Sequence, residues 1–227
     1  MTSRHNVSLT TRGAQWDLPD SDISSAALKL VFDVSPAFLA KHCVRSFLFA
    51  RELASTPDRR GADGLDEETL FLACLLHDLG ITDYGTGGQR FEVDGADAAA
   101  RFLRDHGIAE DRIVTVWQSI ALHTSLGLAQ RFGDVQSLAF SGISLDIDGM
   151  DKGRLTPGFA ERVHDAWPRD DLGFAIARAI DRGIQADPMK APPFTFPAHV
   201  HELFNGRSLT FFDVIANSGW GDRPPQE

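Results

Sequence analysis

Residues 69–80 read TLFLACLLHDLG: seven consecutive apolar side chains, Leu70 to Leu76, followed at once by His77 and Asp78. So long an apolar run belongs in an interior, and the ionisable pair at its end goes in with it. A buried carboxylate is costly unless a cation or dense hydrogen bonding compensates it. Asp66, Glu67 and Glu68 suit the N-terminus of a helix over this run, and Gly80 is expected to close it as a C-terminal glycine, with His77 and Asp78 in the last turn. Helix neighbours differ by about 100° in direction, so both side chains can reach one ion only at such an end.

The rest of the chain has the same helical character. Apolar residues recur at three- and four-residue steps from Ser25 to Val34, and from Pro36 to Ala54 through Phe38, Leu39, Cys43, Phe47, Phe49, Ala50 and Leu53. Ser35 is expected to cap the second of these helices, with Pro36 in its first turn. After the His-Asp pair, ITDYGTGGQRFEV reads as a loop that overhangs a site. Asp94 is then the expected N-cap of a helix through ADAAARFLRDHG, with Asp97 in its first turn. Further helices are expected over Glu110–Thr124, through Leu138 and Phe140 toward Asp146, and over GFAERVHDAW and DLGFAIARAIDRGI. Alternating strand patterns are lacking, so the expected class is all-α: one helical bundle with polar groups converging on a site in its core. Residues 1–22 form an N-terminal segment and 23–186 the domain. Residues 187–227 form a Pro-containing arm packed on or near it, with Pro192, Pro193 and Pro197 making 187–198 an extended connector.

Composition excludes several classes. Hydrophobic residues make up 43% and charged ones 24%, with 16 Phe and 4 Trp, which is globular and not disordered. A formal net charge of -10 has the wrong sign for neutralising phosphates, so nucleic acid is not an expected partner. The uncharged stretch 113–130 carries Thr115, Gln118, Ser119, His123, Thr124 and Ser125, too polar for a membrane span. The first twenty residues lack a secretory pattern. Cys43 and Cys74 form no CxxC pair and are expected to be reduced. A cytoplasmic protein acting on a small-molecule substrate is the expectation, with the arm as a surface for a homo-oligomer.

Of eight histidines, three lie in strongly apolar helices: His42 in FLAKHCVRSFLF, His77, and His123 after VWQSIAL. His5, His106, His164, His199 and His201 occupy polar or terminal settings and read as surface, helix-end or packing residues. Asp146, after LAFSGISL, is a second carboxylate set among apolar residues; Asp148 competes with it. His42, His77, Asp78 and Asp146 make a mixed nitrogen and oxygen set for one divalent ion. Zinc is the first choice, with iron or manganese also suited, and coordination positions are left for water.

The order His42, His77-Asp78, Asp146 resembles the HD-domain superfamily of metal-dependent hydrolases, whose helical core places H…HD…D on one or two divalent ions. More narrowly, RFEVDGADAAARFLRDHGI, IALHTS and GISLDIDG resemble the cyanamide hydratase-like branch, which adds water across a carbon–nitrogen triple bond. The similarity spans roughly residues 25–185 and implies the same four ligands. It also implies that His123 lies beside the metal as proton shuttle or substrate contact. In dimetal relatives a further histidine ligates, and His106 is the sole candidate here, so one metal is favoured.

The resulting expectation is a hydro-lyase in which His123 manages protons, Glu92 acts as a loop partner or gate, and Thr124 and Ser125 orient substrate. Arg90 and Phe91 are further substrate contacts, and Trp117 and Phe140 are candidate pocket walls. The alternative is an HD-type phosphohydrolase. Many phosphate-handling relatives resemble HD-x-G-K, whereas Ile81 follows Gly80 here, leaving Arg45 and Arg90 as substitute cations and Gly85, Gly87 and Gly88 as a phosphate cradle. A regulatory module with a structural metal and a di-iron oxygenase are further readings from other classes.

Overall fold

A computed structural model of the chain describes residues 13–56, 64–207 and 209–220; His5 lies outside them. The described elements are α1 (Asp22–Val34), α2 (Ala37–Ala54), α3 (Glu67–Leu76), α4 (Phe91–Asp105), α5 (Glu110–Leu122), α6 (Asp134–Asp148), α7 (Phe159–Ala166), α8 (Leu172–Ala186), α9 (Phe196–Asn205) and α10 (Phe211–Ala216). Among the described residues there is no strand, and the all-α expectation holds. No described helix is long and apolar enough to cross a membrane.

α3 runs through the middle of the core, with Leu70 to Leu76 all buried. α2 and α6 pack along it and along each other, and the α4–α5 pair covers another side. Gly142 makes the α2–α6 crossing close: a Cβ there would lie 2.2 Å from the Ser46 carbonyl oxygen. The second close approach involves Gly80. α3 ends at Leu76, and Gly80 sits in a one-turn 3-10 helix, Leu79–Ile81, that is pressed onto the start of α4. A Cβ on Gly80 would fall 1.9 Å from the Phe91 carbonyl oxygen. Space, not helix termination, therefore demands this glycine.

Several local expectations are corrected. Ser35 closes α1, donating its N–H to the Val31 carbonyl, and Pro36 occupies the N-cap of α2. Phe91, Glu92 and Val93, expected in the loop, form the first turn of α4. Asp94, expected as its N-cap, already lies inside it, with its N–H donated to the Arg90 carbonyl. Its carboxylate instead accepts from the N–H groups of Gly87 and Gln89, pinning the preceding loop. Residues 187–198 are not simply extended: Pro188–Lys190 form a 3-10 turn, and Pro197 sits in the first turn of α9, where a proline costs no hydrogen bond.

Candidate metal centre

Three helices each deliver one imidazole. His42 projects from the middle of α2, while His77 and His123 occupy the C-caps of α3 and α5. At Asp78 the backbone leaves the helix, with φ -100° and ψ 14°. That departure lets adjacent residues converge where continuous helix would splay them apart. His77 Nε2 lies 3.1 Å from Asp78 Oδ2 and His42 Nε2 3.7 Å from the same oxygen, while His123 Nε2 lies 3.9 Å from Oδ1.

The far side of each ring is tied down. Nδ1 of His77 donates to the Cys74 carbonyl at 2.8 Å, and Nδ1 of His123 to the Ile120 carbonyl at 2.6 Å. Carbonyls cannot donate, so those Nδ1 atoms carry hydrogen; the neutral His123 ring presents the lone pair of its Nε2 inward, and His77 does so once Nε2 gives up its proton. His42 holds its Nδ1 2.7 Å from Asp146 Oδ2.

At the centre, both carboxylate oxygens of Asp78 are buried without a hydrogen-bond partner. His42 Nε2 and His77 Nε2 approach within 3.1 Å. An orphaned buried carboxylate beside two converging imidazole nitrogens requires positive charge. The ligand atoms of His42, His77 and Asp78 lie within 4.8 Å of one another. Two imidazoles and a carboxylate fit a divalent ion of the zinc, manganese or ferrous class and leave positions open. With no ion bound, burial lowers the His77 pKa, but Asp78 and Cys43 together outweigh burial and hold it well above its ordinary value, so that the ring's own proton meets part of the demand for positive charge. Burial likewise penalises the Asp78 carboxylate, yet His77, His42 and His123 bring it down to about 2. His123, where desolvation dominates, falls to about 4 and is neutral at physiological pH.

Asp146 does not join this group. Its buried carboxylate accepts from Arg45 Nε and Nη2 at 2.8–3.0 Å and from Arg169 Nη1 at 2.9 Å, besides His42. Arg45, one turn beyond His42 on α2, captures it from the facing α6. Burial disfavours the charge, but the neighbouring His164 and His42 rings and the Arg45 guanidinium hold the carboxyl well below the usual carboxylate range. Asp146 thus stands behind His42, orienting it, as carboxylates do behind metal-bound histidines. Sequence reasoning missed Arg169 and His164, whose Nε2 lies 3.8 Å from Asp146 Oδ1. Neither lies near Asp146 in the chain, and the signal in Arg45 was its cation inside an apolar helix.

A cavity of about 240 Å³ opens beside Asp78, lined in part by His42, His77, His123, Thr124, Phe91 and Phe140. Glu92, expected as a loop residue, is completely buried in α4. It accepts from Thr124 Oγ1 at 3.1 Å through Oε1, and its Oε2 has no partner. Burial raises its pKa. Ser125 and Arg90 lie outside the cavity lining, Ser125 in the turn after α5 and Arg90 at the N-cap of α4, 3.7 Å from Glu92 Oε1. Trp117 donates to Asp97 and packs against the core instead of walling the cavity. His106 caps α4, its Nδ1 donating to the Phe102 carbonyl, and takes no part.

The HD domain family model matches residues 39–152, half of the chain, which includes every inward-facing histidine and Asp146. The chain belongs to the HD domain family. Members of this superfamily are generally metal-dependent hydrolases, and His42, His77 and Asp78 form a cluster of described residues that could hold a divalent ion. No curated protein matches the chain.

Proposed function

We propose that this HD protein is a hydro-lyase of the cyanamide hydratase type, adding water to a carbon–nitrogen triple bond with one divalent ion, zinc first, held by His42, His77 and Asp78. The observation that carries the reading is the charge of the cavity. Among its described lining residues the ionisable groups besides histidine are Asp78 and Asp148, with neither lysine nor arginine. A phosphoester would meet acid where it needs cations. The substitutes are committed elsewhere, Arg45 to Asp146 and to the carbonyls of Trp167 and Pro168, and Arg90 outside the lining. Two of the three loop glycines are committed too: the Gly85 N–H donates to Thr82 and that of Gly87 to Asp94.

When bound, a divalent ion supplies Lewis acidity and lowers the pKa of water toward neutrality. The chain's own groups handle protons. In hydration the water oxygen bonds to carbon while one hydrogen passes to nitrogen; the second follows by tautomerisation to give an amide, with no net redox change. His123, neutral and with Nε2 facing Asp78, accepts a proton from water and returns one to the nitrogen, while Glu92, behind the cavity lining, holds Thr124 in place. Thr124 itself lines the cavity.

The test is to load the full chain with zinc, manganese or ferrous iron and to measure urea formation from cyanamide beside phosphate release from nucleotides. Hydration without phosphate release supports the reading. Phosphate release without hydration replaces it with the phosphohydrolase alternative.

A further inference from the structure

The histidines and Asp78 that line the cavity come from the family core, but one wall of the cavity does not. Ile176 and Ile180 come from α8 and Phe196 from α9, all beyond residue 152, where the HD match ends. This wall is fastened to the loop that follows the His-Asp pair. Lys190 is buried, and its Nζ donates to Asp94 Oδ2 at 3.0 Å and to Thr86 Oγ1 at 2.7 Å. Phe91 and Ile180 pack in one buried cluster, and the Phe91 and Phe196 rings lie 6.4 Å apart. The added segment thus forms a fixed face of the cavity.

The side chains that this segment contributes are all apolar, and Ile143, Ile147 and Met150 also line the cavity, beside Ser144 and Asp148. Cyanamide would leave most of a 240 Å³ cavity unfilled and would offer this wall nothing to bind. The volume lies just under the range of about 300–1,000 Å³ usual for drug-sized ligands. It therefore suits a compact molecule with one alkyl or aryl group. We infer that the substrate is a neutral small molecule carrying an apolar substituent, which seats against Ile176, Ile180 and Phe196 while its polar end faces Asp78 and His123. This inference rests on the hydration reading for its reacting group, an organic nitrile, but on the wall alone for its selectivity.

The experiment uses the zinc-loaded full chain. Hydration is followed for cyanamide, acetonitrile, butyronitrile and benzonitrile, and binding of benzamide, urea and inorganic phosphate is measured by calorimetry at several temperatures. Burial of each methylene should raise kcat/KM about 3- to 4-fold. Benzamide should bind with a negative heat-capacity change, whereas urea and phosphate should not. Ile180→Asn should collapse the benzonitrile-to-cyanamide ratio at least about tenfold, and Phe196→Ala should lower it in the same direction. Benzamide binding without turnover of any nitrile would support the apolar-substituent inference and overturn the hydration reading. Cyanamide turnover with no gain for benzonitrile would overturn the inference and leave hydration standing. Phosphate binding with exclusion of benzamide would sink both.

Discussion

Asp146 Oδ2 and His42 Nδ1 are 2.7 Å apart, so the carboxylate fixes the ring with Nε2 turned toward Asp78. Arg45 and Arg169 hold that carboxylate from the other side. Asp146, expected as the fourth ligand, lies outside the His42, His77 and Asp78 cluster; we propose that it acts as a positioning group, so that its removal has a graded consequence. Asp146→Asn should leave the chain folded and weaken zinc binding about 10- to 100-fold, the usual cost of losing a partner behind a ligand histidine. Chelator competition measures this. Unchanged affinity would contradict the positioning role, and complete loss of metal would return Asp146 to the ligand set.

Arg45 is fully buried and balanced by Asp146. Arg45→Met strands a buried carboxylate and should destabilise the fold by about 3–5 kcal/mol, whereas the double variant Arg45→Met, Asp146→Leu should recover much of that loss. Denaturant unfolding of the two variants and the parent provides the comparison.

The inward histidines should divide into two kinds. His77→Ala and Asp78→Ala are expected to abolish metal retention together with activity. His123→Ala should keep the metal and lose about 10²–10⁴ in turnover, the range of a general acid or base. Elemental analysis of purified variants, beside rates, decides this; metal loss in His123→Ala would make His123 a ligand.

Glu92 ties stability to pH. Burial raises its carboxyl above the ordinary value of 4.5, so the folded chain holds this proton more tightly than the unfolded chain does. Below 4.5 both states are protonated and Glu92 makes no difference. As pH rises from there through the folded value, the unfolded chain loses its proton first and stability falls. Glu92→Gln should therefore melt higher than the parent at neutral pH and converge with it in acid. A lower melting temperature for Glu92→Gln at neutral pH would show that the ionised form is stabilised.

Glycine replacements separate space from backbone freedom. Gly142→Ala would press on Ser46 at the α2–α6 crossing and should cost about 1–3 kcal/mol or more. Gly80→Ala should push the His-Asp turn away from Phe91 and Glu92, lowering turnover more than metal retention. Gly173→Ala in α8 meets nothing within 4 Å and should be neutral or stabilising by up to about 1 kcal/mol. Thermal melting and metal analysis of the three variants form one comparison.

What could be read from residue order was governed by local rules. Apolar spacing marked the helices between Ser25 and Ile184, and the seven apolar residues before His77 marked a buried His-Asp pair, because burial of an ionisable group has few affordable solutions. His42 and His123 were legible for the same reason. Helix edges around Ser35, Phe91 and Pro197 were not, since several residues nearby could each cap or start a helix. The role of Asp146 depended on tertiary structure: whether its carboxylate meets an ion or an arginine depends on which face of α6 meets Arg45 across the α2–α6 crossing. The same holds for Glu92, whose burial follows from the approach of Gly80 to α4, and for the wall built by Ile176, Ile180 and Phe196. Local periodicity dictates which residues leave water; only packing between distant segments dictates which of them touch.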